Sequence, residues 1–170
     1  MGGLHGRRSW RASGPERLPR ISETRTLQWS AEQMFDLVAD VKRYPEFLPW
    51  VVATRVRSDS ESVMVADMLV GFAALREKFT SKVRKDRPRM IDVDYLDGPM
   101  RELDNKWFFR PNPDGGCTID FTVDFVFRNA IFEALAGQYL DRAFRKMVSA
   151  FETRAAALYG SSSSSATSAA

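Results

Sequence analysis

The chain has 170 residues, 44% hydrophobic and 28% charged, which suits one globular domain with a sizeable core. No run of about eighteen apolar residues occurs, so no transmembrane helix is expected, and the single cysteine, Cys117, excludes an intramolecular disulfide and a multi-cysteine metal site. The one histidine, His5, lies in an unpatterned head, which puts Ser-His-Asp and Cys-His chemistry out of reach of the folded part and favours binding over catalysis. A net charge of +3 permits contact with nucleic acid or anionic lipid and calls for neither.

Residues 1–18 are rich in Gly, Arg and Ser and carry one acid, Glu16. This head reads as a disordered extension, a start codon placed too early, or a faint transit peptide; it has no apolar stretch of the secretory kind. The Ser/Ala tail at 160–170 is too polar to pack. The folded unit is therefore expected over 19–159.

Residues 20–29 read as a strand. Ser30 then offers an N-cap to "AEQMFDLVADV", in which Met34, Phe35, Leu37, Val38 and Val41 form an apolar stripe at helical spacing. Pro45 and Pro49 stop that helix near Tyr44, leaving a second short helical piece or turn before a strand that starts about Trp50. "SVMVADMLVG" puts Met64, Ala66, Met68 and Val70 on one face. "LREKFTSKVRK" sets Leu75, Glu77, Phe79, Ser81 and Val83 against Arg76, Lys78, Thr80, Lys82 and Arg84. "MIDVDYL" aligns Ile91, Val93 and Tyr95 and closes at the turn Asp97-Gly98-Pro99. "ELDNKWFFR" aligns Leu103, Asn105, Trp107 and Phe109. After "PNPDGG", the strand "CTIDFTVDFVF" alternates cleanly, with Cys117, Ile119, Phe121, Val123, Phe125 and Phe127 on one side. Such short connections predict one long antiparallel meander, apolar on one face and wet on the other.

Residues 129–158 return to helical spacing, with Phe132, Leu135, Tyr139, Ala143, Met147, Ala150 and Phe151 on one face. A helix that long needs a broad apolar partner, and the sheet offers it. The expected fold is α+β, a curved antiparallel sheet of about seven strands around a long C-terminal helix.

This order of elements, with "YPEFLPW", Gly71-Phe72, "DGPMRELDNKW", "FTVDFVFRN" and "MVSAFETRAAALYG" at their places, resembles the coenzyme Q-binding proteins of the START-like superfamily. Their bacterial relatives are known as polyketide cyclase-like proteins or ribosome-association toxins. The resemblance spans most of 20–160 and implies the helix-grip (START/Bet v 1-like) fold, with a hollow between sheet and helix.

On the strand parities, the hollow's wall is expected to include Met68, Val70, Phe79, Tyr95, Trp107, Phe109, Phe121 and Phe125, with Phe144 and Met147 from the helix. Phe47, Leu48 and Trp50 are expected at its lip, facing either the cavity or a bilayer, while Tyr44 and Pro49 could simply cap the core. These residues could equally fill a core; as a pocket they would suit an apolar ligand. Glu77 and Asn105 fall on the apolar parity, where a lone carboxylate costs several kcal/mol unless paired or wet. Either an inward arginine such as Arg142 answers Glu77 or the hollow holds water and a polar ligand head, for which Asn105 could donate to a quinone carbonyl. The basic row Arg76, Lys78, Lys82 and Arg84 is expected to pair across strands with Asp92, Asp94, Asp104, Asp120 and Asp124 rather than to bind nucleic acid. Cys117 reads as a small buried apolar residue.

The resemblance implies a non-enzymatic protein with no cofactor. It would bind ubiquinone or a related polyprenyl lipid, visit a membrane surface and supply respiratory or quinone-biosynthesis complexes. The alternatives are a protein that binds a ribosomal subunit and a cyclase or dehydratase using Glu77, Asn105 or Tyr95; no DNA partner is expected. The expected location is a bacterial cytoplasm with visits to the inner membrane, or else the matrix side of the mitochondrial inner membrane.

Overall fold

A computed structural model describes residues 21–72 and 75–160, without the side chains at 72, 75, 132 and 135–141. The expectations for the head at 1–18, the tail beyond 160, and the side chains of Phe72, Leu75, Phe132, Leu135 and Tyr139 lie outside the described residues.

Strand β1 (Ile21–Leu27) leads to Ser30, which starts helix α1 (Ala31–Ala39) with a capping box. The Ser30 hydroxyl accepts from the Gln33 amide at 3.1 Å, and the Gln33 side chain accepts from the Ser30 amide at 3.0 Å. The apolar stripe goes inward as its spacing demands, burying Met34, Phe35, Leu37 and Val38. A 3-10 turn (Val41–Arg43) and a one-turn helix α2 (Tyr44–Phe47) follow. Pro45 sits inside the first turn of α2, where its missing N–H has no intrahelical acceptor to lose. Leu48 is extended (φ −87°, ψ 120°), as the residue before Pro49 must be, and so the helix ends there.

Strands β2 (Val51–Asp59), β3 (Val63–Phe72), β4 (Leu75–Asp86), β5 (Met90–Asp97), β6 (Met100–Pro111) and β7 (Cys117–Phe127) form the expected antiparallel meander. The sheet has seven strands in the order β1-β7-β6-β5-β4-β3-β2. Its first strand does not neighbour its second: β1 pairs with β7, from Ile21 opposite Val123 to Leu27 opposite Cys117, and α1 and α2 carry the chain to the opposite edge. Long-range pairing of this kind leaves no trace in local alternation.

Helix α3 (Ala130–Tyr159) is 30 residues long, roughly 45 Å, and is capped by the Asn129 carboxamide oxygen accepting from the Ile131 amide at 2.8 Å. It packs across the sheet through buried Phe151 and Ala155, beside half-buried Met147 and Ala150. Ile21 on one edge strand and Val51 on the other line a single cavity beneath it, so the sheet must curl around the helix. This is the helix-grip arrangement.

The outer face is ionic. Arg84 meets Asp92 at 2.7 Å and Asp94 at 3.2 Å, Arg57 meets Asp67 at 2.8 Å, and Arg110 meets Asp120 at 2.7 Å. Arg84 thus pairs as its parity suggests, and Lys82 stands in register with Asp94. The Arg110–Asp120 and Arg84–Asp94 pairs are solvated and stabilise little, whereas the Asp67 and Asp92 carboxylates are buried beneath their arginines.

Candidate functional site

The space between sheet and helix is a cavity of ≈ 310 Å³. Its floor is built in cross-strand rows, because residues in register on neighbouring antiparallel strands point to the same side. One row runs Val83, Val93, Asn105, Val123 and Ile21 over β4, β5, β6, β7 and β1. A second runs Ile91, Trp107 and Phe121, and Leu103 faces Phe125 in a third. Met68 stands opposite Phe79 on β3 and β4. The roof is α3, with Phe144, Met147 and Phe151. Aromatic contacts join roof to floor: Trp107 meets Phe151 edge-on with ring centroids 5.6 Å apart, and Phe121 lies 5.0 Å from Phe144 with the rings tilted by 36°.

The α2–β2 segment closes one side. Leu48 is 6% exposed and lines the cavity, as does Trp50, whose indole Nε1 donates to the Ala143 carbonyl of α3 at 3.2 Å. The Lys146 ammonium lies 5.8 Å from the same indole ring. The buried Tyr44 hydroxyl donates to the Val38 carbonyl, and burial pushes its pKa upward. At the far end of β5 the turn through Gly98 (φ +143°) closes over Phe79, so tightly that a Cβ there would come within 2.7 Å of the Phe79 Cβ.

Polar groups in the lining are few. Asn105 is held on both sides: its Nδ2 donates to the Thr122 carbonyl at 3.0 Å and its Oδ1 accepts from Trp107 Nε1 at 3.0 Å. One Nδ2 hydrogen is left over. Ser81 also lines the cavity. None of the lining residues carries a formal charge at neutral pH, and among the described residues no group of His, Cys, Asp or Glu is disposed to hold a metal ion. Cys117 is fully buried, and burial raises its thiol to about 11.

Of the residues anticipated for the wall, Leu48, Trp50, Met68, Val70, Phe79, Asn105, Trp107, Phe121, Phe125, Phe144 and Met147 meet around the cavity. Four do not. Phe47 lies outside the lining: its ring packs edge-on against Tyr44 and Phe151, with centroids 5.9 and 5.4 Å away, and its outer side borders a groove with Pro49, Lys146 and Arg154, whose guanidinium lies 5.2 Å from the ring. Glu77 is half-buried beside Val70 but outside the lining, and no ion pair joins it to exposed Arg142. The cost of a fully buried lone carboxylate does not arise, because Glu77 keeps part of its surface in water. Tyr95 uses its hydroxyl to accept from the Met100 amide at 3.0 Å and braces the β5–β6 turn. Phe109, 2% exposed, packs against Phe35 of α1 with centroids 5.5 Å apart, as core.

Several lining residues were not anticipated. Ser81 and Val83 share the parity of Phe79, and Val93 that of Tyr95, so alternation alone could have named them. Ile21, Val38, Val41 and Tyr44 come from β1 and the α1–α2 segment, whose approach depends on tertiary packing.

Comparison with known proteins agrees with this geometry. The profile of the family described as polyketide cyclase/dehydrase and lipid transport matches residues 27–152. The ribosome association toxin RatA of Vibrio cholerae is 35% identical over 143 residues, covering 84% of this chain and 99% of that protein. The mitochondrial coenzyme Q-binding protein COQ10 homolog B of Xenopus laevis is 35% identical over 143 residues, covering 82% of this chain and 59% of that protein. The solution structure of the 18 kDa protein CC1736 from Caulobacter crescentus superposes with a TM-score of 0.69 at 38% identity, covering 85% of this chain and all of that one. With a family profile matching most of its length, on a sheet wrapped around a long C-terminal helix, the chain belongs to the polyketide cyclase/dehydrase and lipid transport family.

Proposed function

We propose that this protein binds ubiquinone or a similar polyprenyl lipid in the cavity beneath α3 and acts as a quinone chaperone that supports respiration and ubiquinone biosynthesis. The observation that carries the reading is the apolar, uncharged cavity of ≈ 310 Å³, a size at the small end of small-molecule sites. Reversible burial of an isoprenoid chain needs no chemistry, since each buried CH₂ contributes roughly 0.8 kcal/mol. The reading is non-enzymatic and requires no cofactor: the lining supplies no carboxylate or histidine for acid-base work. No helix among the described residues is long and apolar enough to cross a membrane, so delivery would be by visits to a membrane surface, from a bacterial cytoplasm or from the mitochondrial matrix.

The likeness to RatA along 99% of that protein's length supports a second reading, association with a ribosomal subunit. One experiment separates the two. Organic extraction of the purified protein followed by mass spectrometry is expected to yield a quinone. A lipid-free protein that takes up no quinone and co-sediments with ribosomal subunits would overturn the chaperone reading.

A further inference from the structure

Ser81 is 6% exposed and lines the cavity, yet its hydroxyl has no hydrogen-bond partner among the described residues. Among the described residues the sealed side-chain atoms without a partner are Asp92 Oδ1 and Arg154 Nε, so the Ser81 hydroxyl is open to the cavity and free to meet a ligand atom there. The local backbone makes the position special. Thr80 pairs with Asp97 but Ser81 pairs with Tyr95, so Leu96 is an extra residue in β5 and stands 53% exposed. Bulges of this kind re-aim side chains and recur beside functional sites. Thr80 points outward to Asp67 at 2.6 Å, which leaves the next hydroxyl for the concave side.

Two strands away, roughly 10 Å across the sheet, Asn105 presents its remaining Nδ2 hydrogen from a carboxamide fixed by Thr122 and Trp107. The cavity therefore has two hydrogen-bonding points set in apolar walls, with no cation to receive an anionic group. We propose that Ser81 and Asn105 form a head-group subsite for a neutral amphiphile whose head carries hydrogen-bond-accepting oxygen, such as a ring ketone or ether. This rests on the lipid-binding reading above and adds to it the end of the ligand that is recognised and the charge that is refused. A carboxylate or phosphate head would be buried without a counter-charge and is excluded on that ground.

The test uses the full chain and three probes: a benzoquinone bearing a ten-carbon alkyl chain, decanoate, and the neutral dye N-phenylnaphthylamine. Binding is read from quenching of tryptophan fluorescence, Trp50 and Trp107 being in the lining, and from dye emission. Ser81→Ala is expected to weaken quinone binding three- to tenfold, the loss of one net hydrogen bond, while dye affinity stays within twofold. Ser81→Thr, which keeps the hydroxyl, is expected to retain most of the quinone affinity. Decanoate is expected to bind the unaltered protein at least tenfold more weakly than the quinone. Equal quinone affinity in Ser81→Ala, a parallel loss of dye binding, or preference for decanoate overturns the subsite and leaves the lipid cavity standing. Failure of the unaltered protein to bind either quinone or dye overturns the cavity reading and the subsite with it.

Discussion

Whether the space under α3 is a binding cavity or loosely packed core can be decided by filling it. Val93 is the position for this: it lies on β5, the middle strand of the sheet, opposite Val83 on one side and Asn105 on the other, and lines the cavity. Val93→Phe adds four carbons pointing into ≈ 310 Å³ of space. At roughly 0.8 kcal/mol per buried carbon group, full burial would stabilise by about 3 kcal/mol at most. Lost rotamer freedom and imperfect contact with Trp107 and Met147 reduce the expected gain to about 1 kcal/mol. In a close-packed core the same substitution costs about 1–3 kcal/mol, because neighbours are forced off their rotamers. The sign therefore discriminates. Urea unfolding of the lipid-free protein should show a raised midpoint at unchanged slope, and the alkyl benzoquinone should bind at least tenfold more weakly because the new ring occupies its space. A midpoint lowered by the equivalent of about 1–3 kcal/mol, with quinone affinity unaltered, would refute the reasoning.

Gly98→Ala places a Cβ 2.7 Å from the Phe79 Cβ and 2.8 Å from the Tyr95 hydroxyl at a backbone φ of +143°; a loss of about 1–3 kcal/mol or more is expected in thermal unfolding, and an unchanged Tm would contradict the turn geometry. Leu48→Glu and Trp50→Ala should part company. Leu48 is 6% exposed, so a carboxylate there should cost several kcal/mol and unfold much of the protein, as far-ultraviolet circular dichroism would report. Half-buried Trp50 should be removable with the fold kept, at the price of faster ligand release in stopped-flow fluorescence once its bond to Ala143 is gone. Asp67 is held below the usual carboxylate range, first by the Thr80 hydroxyl and then by Arg57. A depressed folded-state pKa stabilises above the ordinary Asp value near 3.9 and is lost as pH falls through the folded value. Asp67→Asn should therefore lower the urea midpoint at pH 7 and flatten its decline below about pH 4; an unchanged acid limb would show that Asp67 is not linked to folding.

Alternation and capping signals made the architecture legible. Strands β4 to β7 follow from period-two patterns, α1 from Ser30 and its stripe, and α3 from its length, since each of these depends on residues close in sequence. What local pattern could not carry is the partner of β1. Its register against β7 decides that Ile21 faces Val123 across the cavity floor. Parity also says which side of a strand faces inward but not how far along the strand the cavity runs. Glu77 stands opposite Val70, a lining residue, yet is itself half-exposed and outside the lining, and the Tyr95 hydroxyl is engaged by the turn after Asp97. Phe109 lies on the same strand face as Trp107, two residues along, where α1 covers the sheet through Phe35. Where Phe35 of α1 meets the sheet, Phe109 becomes core, while two residues along Trp107 faces the cavity.

The segment "YPEFLPW" shows the same division at finer grain. Its apolar residues look interchangeable in sequence, yet a single helical turn followed by an extended pre-proline residue sends them in different directions. Tyr44 is buried and reaches the cavity wall, while Phe47 packs edge-on against Tyr44 and Phe151 and meets Arg154 on its outer side. Only after Pro49 forces Leu48 out of helical geometry do Leu48 and Trp50 reach the cavity, with the Trp50 indole tied to the carbonyl of Ala143. The two prolines thus have separate effects. Pro45 shapes the start of the helical turn that buries Tyr44, and Pro49 ends that turn early enough for the next aromatic to reach α3. Replacing Pro49 with alanine would remove the second constraint while leaving α2 free to extend. The physical consequence would fall on Trp50, whose contact with α3 depends on the chain leaving the helix at Leu48, and hence on closure of the cavity rather than on the stability of the core.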